Sequence, residues 1–204
     1  MAALIMAAGQ ASRFGECKQL VKVNGKSLLQ HSIDMAQALC PGRVFAVSGA
    51  WHCELSMSIQ NEEIKDVTLI EHPAWVDGLG SSIARGVTFL ADDFDSILII
   101  LADQIGLTKE DLLKLRHHFS GDNIVCGLYA GRRGVPAIFG RNSFEQLKVL
   151  QGDRGAKAIL YGQHVSVVEY PLECASIDID TWEDLDLWVR GRSKENVMEL
   201  LDYV

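Results

Sequence analysis

The chain alternates short, nearly continuous apolar runs with longer stretches in which apolar residues return every three or four positions. The runs Ala3 to Ala8, Val44 to Ser48, Val67 to Ile70, Ile97 to Ala102 and Ile124 to Leu128 predict strands buried on both faces. Between the first two, Leu28, Leu29, Ile33, Ala36 and Leu39 share one helical face, and Ser27 with Gln30 occupies capping-box positions at its start. The same periodicity predicts helices over Ser82 to Ala91, Thr108 to Phe119, Ser143 to Leu150 and Arg154 to Tyr161, with Thr108 and Asp111 as cap and partner in the second. A further helix starts near Trp182, and Arg190 to Val204 reads as an amphipathic tail. Strands separated by helices of this length give a mostly parallel sheet covered on both faces, a three-layer α/β/α architecture. No linker, repeat or low-complexity stretch divides the sequence, so residues 1–204 are expected to form one domain with a helix at about 191–204 appended.

Composition narrows the function classes. With 48% hydrophobic and 23% charged residues the chain has enough apolar material for a full core, which excludes a disordered or fibrous protein. Its 27 acidic and 19 basic residues leave a net charge of −8, the wrong sign for a non-specific nucleic-acid or anionic-membrane binder. Any anionic ligand must therefore meet a local basic pocket. Apolar runs such as Ile97 to Ala102 fall far short of the roughly 20 residues of a membrane span. The segment Ala2 to Ala8 is too short for a signal-peptide core and runs into a glycine loop, so a cytoplasmic protein is expected. The cysteines at 17, 40, 53, 126 and 174 form no CxxC pair and no zinc-like cluster, which reads as reduced thiols, Cys17 included.

In a parallel sheet, ligands bind beyond the carboxyl ends of the strands. Three strand-end segments carry chemistry. The first strand runs into Ala7-Ala8-Gly9-Gln10-Ala11-Ser12-Arg13-Phe14-Gly15-Glu16-Cys17-Lys18, a small-residue loop with two spaced cations. Glycine lets backbone amides approach phosphate oxygens, and Arg13 and Lys18 can neutralise charge that builds during phosphoryl chemistry. From Gly9 to Lys26 the chain holds Arg13, Lys18, Lys22 and Lys26 against Glu16 alone, a local reversal of sign. Leu101-Ala102-Asp103-Gln104 ends an apolar strand in a single carboxylate, sufficient for a hard cation that completes its shell with waters and substrate phosphates. In Ser176-Ile177-Asp178-Ile179-Asp180-Thr181, strand alternation would put both carboxylates on one face, where one could share that metal. An ordinary turn, a cap at Asp103 and a helix cap at Asp180 or Thr181 are the plain readings of the same segments.

Gly78-Leu79-Gly80-Ser81-Ser82 could offer amides and hydroxyls to a nucleotide, or serve only as an N-cap. Gly131 to Pro136 reads as a cationic flap or an exposed hairpin turn, and Gly152-Asp153-Arg154-Gly155-Ala156 as a charged turn before a helix. The P-loop, the dinucleotide fingerprint, HExxH and GxSxG are all absent, which removes GTPase, dehydrogenase, metalloprotease and esterase readings.

As an ordered set, Ala7-Ala8-Gly9-x-x-Ser12-Arg13-Phe14-Gly15-x-x-Lys18, Gly78-Leu79-Gly80-Ser81-Ser82, Leu101-Ala102-Asp103-Gln104, Gly134-x-Pro136, Gly152-Asp153-x-Gly155-Ala156 and Asp178-Ile179-Asp180-Thr181-x-Glu183-Asp184 resemble the nucleotidyltransferases that mature molybdenum cofactor. The resemblance implies a Rossmann-like nucleotidyltransferase fold and transfer of a nucleotidyl group with release of pyrophosphate. Ala7, Ala8, Gly9, Ser12, Arg13, Lys18, Gly78, Gly80, Ser81 and Ser82 would bind the nucleotide, and Arg13, Lys18 and Asp103 would carry the chemistry. Asp103 and Asp178 would hold Mg2+, with Asp180 as the neighbour that could take the place of Asp178. The Ala-Ala-Gly form resembles the cytidylyl-transferring branch, which implies CTP and a molybdopterin-type acceptor, with a molybdenum hydroxylase as possible client. Guanylyl transfer, a sugar or alditol phosphate acceptor, and a non-catalytic carrier of the cofactor remain the other readings. The sequence departs from the family at Ile105, where proline is usual, at Gly80, where serine is more common, and at Val135, where histidine is frequent. The first two departures read as benign.

Overall fold

A computed structural model describes residues 1–162 and 166–201. Its first half comprises β1 (Ala2–Ala7), the hairpin strands β2 (Lys22–Val23) and β3 (Lys26–Ser27), α1 (Leu28–Leu39), β4 (Val44–Ser48), α2 (His52–Gln60), β5 (Thr68–Glu71) and α3 (Leu79–Leu90). It continues with β6 (Ser96–Leu101), α4 (Lys109–His117), β7 (Ile124–Tyr129), β8 (Arg132–Gly140), α5 (Phe144–Lys148), α6 (Lys157–Leu160), β9 (Val167–Pro171) and α7 (Trp182–Leu201). Seven strands form one sheet in the order β5-β4-β1-β6-β8-β7-β9. All neighbours are parallel except at β8, which runs antiparallel to both β6 and β7.

Successive side chains of a strand point to opposite faces, and the core divides accordingly. Leu4, Met6, Val47, Ile97 and Ile99 meet Ile83, Val87 and Leu90 of α3, with Phe144 and Leu147 of α5 on the same side. Ala3, Ile5, Ala46, Leu98 and Ile100 meet Leu29, Ile33 and Ala36 of α1 and Leu112 and Leu115 of α4 on the other. Every residue of β1 is buried because both faces are covered, which is why that strand reads as a continuous apolar run. The three-layer α/β/α arrangement with a mostly parallel sheet is thus as expected. Among the described residues no helix is long and apolar enough to cross a membrane.

Other expectations need correction. Helix α3 starts at Leu79, three residues before Ser82, because Gly78 with φ 97° turns the chain directly into it. Of the two readings of Gly131 to Pro136, a cationic flap or an exposed hairpin turn, the structure has the hairpin: the stretch is the β7–β8 turn and the start of the nine-residue β8. Strand β9 and helix α2 were not anticipated. Ser176 to Thr181 is not a strand: a 3-10 turn spans Glu173–Ser176, and the following residues run irregularly to α7. That helix is continuous from Trp182 to Leu201 rather than an appended piece at 191–204, and residues 202–204 lie outside the described ones.

Candidate active site

The carboxyl ends of β1 and β6 and the start of α3 enclose a cavity of about 430 Å3. Gly9, Ser12, Arg13 and Lys18 form one wall, Trp75, Gly78, Leu79 and Ser82 the facing one, and Asp103, Asp153 and Asp180 also line it.

The loop after β1 is braced from beneath. Gln19, 5% exposed, donates from Nε2 to the carbonyls of Ala7 and Gly9 at 3.0 and 3.3 Å, which fixes the loop's exit from the strand. Among the described residues, no backbone N–H from Gly9 to Arg13 donates to an intramolecular acceptor. Free amides in succession at a cavity wall are what an anion-binding loop presents.

Lys18 occupies the middle of the site. It is 8% exposed, and its Nζ lies 2.7 Å from Asp103 Oδ2 and 2.8 Å from Asp180 Oδ1. Arg13 reaches Asp180 Oδ2 at 2.6 Å from the solvent side. Burial pushes the Lys18 pKa down, but the charge and hydrogen bond of Asp103, then those of Asp180, outweigh it and the net shift is upward. Burial likewise opposes ionisation of Asp180, and Lys18 and Arg13 more than reverse it, so its pKa is lowered. Asp103 Oδ1 is buried and has no hydrogen-bond partner among the described residues.

Local sequence explains how Asp180 arrives there. Thr181 and Asp184 form the reciprocal cap of α7: Thr181 Oγ1 accepts from the Asp184 N–H at 3.1 Å, and Asp184 Oδ2 accepts from the Thr181 N–H at 2.8 Å. The capping role therefore falls to Thr181 and leaves the Asp180 carboxylate for Lys18. The Ile179 N–H donates to the Asp103 carbonyl at 3.1 Å, and Ile179 packs with Phe14, Val23 and Leu28, while Trp182 lies on Phe14 with ring centroids 4.4 Å apart.

The structure brings together Arg13, Lys18, Asp103 and Asp180 and places Ala8, Gly9, Ser12, Gly78 and Ser82 on the cavity wall. It sets the other expected residues elsewhere. Asp178 is exposed and off the wall, because the chain from Ile177 to Asp180 is not the strand that would have aligned it with Asp180. Burial, then the like charges of Asp180 and Asp103, raise its pKa. Ala7 is a strand residue under Gln19. Gly80 backs onto the 151–152 peptide, its N–H donating to the Gly152 carbonyl at 2.7 Å. Ser81 Oγ donates to the Gly78 carbonyl at 2.8 Å and sits 3.0 Å from His72 Nε2. These three support wall residues rather than lining the cavity. Gln19, Trp75 and Asp153 were missed as parts of the site; the Gly-Asp-x-Gly turn was the available signal for the last, and the other two had none.

Two facing carboxylates, one with an orphaned buried oxygen, suit a hard divalent cation that takes its remaining ligands from waters and phosphates. Among the described residues no group of three or more His, Cys, Asp or Glu converges, so a dedicated all-protein metal cage is not present.

Relatives share this architecture. The structure of Rv0371c from Mycobacterium tuberculosis H37Rv superposes with a TM-score of 0.77 at 22% identity, covering 93% of this chain and 98% of that one. A protein of Escherichia coli strain K12 named molybdenum cofactor cytidylyltransferase is 28% identical over 184 residues, 89% of this chain and 91% of its own. One of a Nostoc species named probable molybdenum cofactor guanylyltransferase is 26% identical over 192 residues, 91% and 88% respectively. The bifunctional protein GlmU of Caulobacter vibrioides is 33% identical over 104 residues, half of this chain but only 22% of that longer protein. Residues 3–167, from the first strand into β9, match the family model of the MobA-like NTP transferase domain. This chain belongs to that family of nucleotidyltransferases.

Proposed function

We propose that this protein transfers CMP from CTP to the terminal phosphate of molybdenum-bound molybdopterin in a Mg2+-dependent reaction, forming molybdopterin cytosine dinucleotide and releasing pyrophosphate. The observation that carries the reading is the Lys18, Asp103 and Asp180 cluster, with its orphaned Asp103 oxygen, beside a loop of free amides. The name of the Escherichia coli relative and the Ala7-Ala8-Gly9 form favour the cytidylyl donor. The Nostoc relative's name favours a second reading, guanylyl transfer from GTP at the same site. The expected setting is the cytoplasm, and for the cytidylyl reading a molybdenum hydroxylase is the client to test.

The attacking group is a phosphate already ionised at neutral pH, so no protein base or covalent residue is needed, and positioning with charge neutralisation supplies the catalysis. The amides of Gly9 to Arg13 take the donor's phosphates, and Trp75 and Leu79 give the nucleoside an apolar wall. Lys18 turns from the two carboxylates to the phosphates and, with Arg13, balances the charge of the departing pyrophosphate. Asp103 and Asp180, once released from Lys18, would hold the metal, with Asp180 in the place expected for Asp178. A divalent cation there would draw the α-phosphate and the incoming oxygen together and neutralise both. A manganese complex of Rv0371c has been crystallised, which is in keeping with a divalent ion in this fold.

The test is pyrophosphate release from CTP with Mg2+ and molybdenum-loaded molybdopterin. The reading requires release with CTP that disappears in Asp103→Ala. A preference for GTP would select the second reading, and pterin binding without release would leave a cofactor carrier.

A further inference from the structure

Gln104 follows Asp103 directly, is 2% exposed, and uses its whole amide inside the protein. Its Oε1 accepts from the Leu101 N–H at 3.4 Å, while Nε2 donates to the carbonyls of Ala175 and Val135, both at 2.9 Å. The three partners lie at the end of β6, in the 3-10 turn that leads to Asp180, and in β8. The Asp103 carbonyl accepts from the Ile179 N–H. Segments 103–104 and 175–179 are therefore joined twice, once by backbone and once by the Gln104 amide; the first contains Asp103 and the second runs directly into Asp180, the two carboxylates that meet at Lys18.

Two carboxylates at one cation site repel each other, and when Lys18 turns to the phosphates only the surrounding chain resists their separation. Asp180 approaches from an irregular segment that has no sheet partner of its own. An apolar side chain at 104 would leave the Ile179 bond as the one hydrogen bond, among the described residues, between these two segments. From this we infer that Gln104 is a positioning residue: it holds Asp103 and Asp180 at the separation a divalent cation needs, and so sets metal affinity rather than the grip on the nucleotide. The inference rests on the metal-dependent reading above.

A purely structural amide would affect folding and leave metal binding by the folded protein unchanged, which gives the test. Mn2+ binding by the full chain in the presence of CTP is followed by electron paramagnetic resonance of the free ion, beside thermal unfolding, for wild type, Asp103→Ala, Gln104→Met and Gln104→Asn. Gln104→Met retains the length and loses all three bonds; Gln104→Asn retains an amide that is one methylene too short to span both carbonyls. The expected result is Mn2+ affinity lower by roughly 10–100-fold in Gln104→Met and by less in Gln104→Asn, the range met when groups that orient metal ligands are removed. In turnover, kcat should fall while KM for CTP holds. Wild-type Mn2+ affinity in a folded Gln104→Met overturns the inference, and if that variant does not fold, wild-type affinity in Gln104→Asn does so. A wild type that binds no more Mn2+ than Asp103→Ala overturns the metal reading itself, a separate and recognisable failure.

Discussion

Lys18 and Asp180, 162 positions apart in the chain, meet at 2.8 Å across the mouth of the cavity. The contact joins the loop after the first strand to the segment before the last helix, and it puts an ammonium between two carboxylates where the proposed reaction would place a metal and phosphates. Replacing Lys18 by methionine should lower turnover by roughly 10²–10³-fold, the usual effect of removing one preorganised charge from the transition state. Steady-state pyrophosphate release measures it.

The same contact predicts a pH window for stability. The Asp180 pKa is lowered in the folded protein, so its contribution is present above the ordinary value of 3.8 and is lost as pH falls through the depressed one. The Lys18 pKa is raised, so its contribution is complete below the ordinary 10.5 and is lost as pH rises through the raised one. Unfolding of wild type and Lys18→Met followed against pH should give a stability difference that is constant between these limits and narrows beyond each.

Asp178 and Asp180 should separate cleanly. The raised pKa of Asp178 marks a carboxylate whose charge costs stability above its folded value, a cost relieved as pH falls. Asp178→Asn should therefore melt at or slightly above wild type at neutral pH and retain activity, whereas Asp180→Asn should lose both metal-dependent turnover and the anchor for Lys18 and Arg13. Melting curves and activity on the two variants decide the assignment. Activity lost only in Asp178→Asn would return the metal to that residue.

How far the sequence reveals this site depends on what each element needs from its neighbours. The continuous apolar runs of β1, β4 and β6 announce themselves because both of their faces are buried. Strand β8 hides because its first half carries Arg132, Arg133 and Gly134 at a hairpin where solvent reaches the chain. The Asp178 to Asp180 segment misleads because its alternation imitates a strand, while its course is set by the local Thr181 cap, which the sequence does offer, and by the Ile179 bond to Asp103, which is tertiary. Gln19 and Gln104 look like ordinary polar residues in sequence, and only burial against backbone carbonyls shows what they brace.

Gly80 is the departure from family pattern whose meaning changed with the structure. A Cβ there would lie 2.7 Å from the Gln151 carbonyl oxygen, with no flexible group to yield, so the position that read as benign is one where this chain needs glycine. Gly80→Ser should cost about 1–3 kcal/mol by overpacking and weaken nucleotide binding, because the displaced 151–153 turn carries Asp153 on the cavity wall. Chemical denaturation and CTP titration of the variant check both halves.

Cys17 lies in the loop after β1, and its burial points to a structural thiol. Burial pushes its thiol up to about 11, and Sγ reaches Gln19 Oε1 at 3.5 Å. Mass spectrometry after iodoacetamide treatment at pH 8 should find the exposed Cys53 modified well before Cys17, and Cys17→Ala should retain activity.

The proposed function needs a metal-dependent CTP site built on Asp103. Calorimetric titration of CTP, with and without Mg2+, into wild type and Asp103→Ala tests it most directly, with GTP, ATP and UTP as comparisons. Saturable CTP binding that needs Mg2+, exceeds that of the other nucleotides and disappears in Asp103→Ala is the predicted result. Equal CTP binding by both proteins, or no nucleotide binding by the wild type, would contradict it.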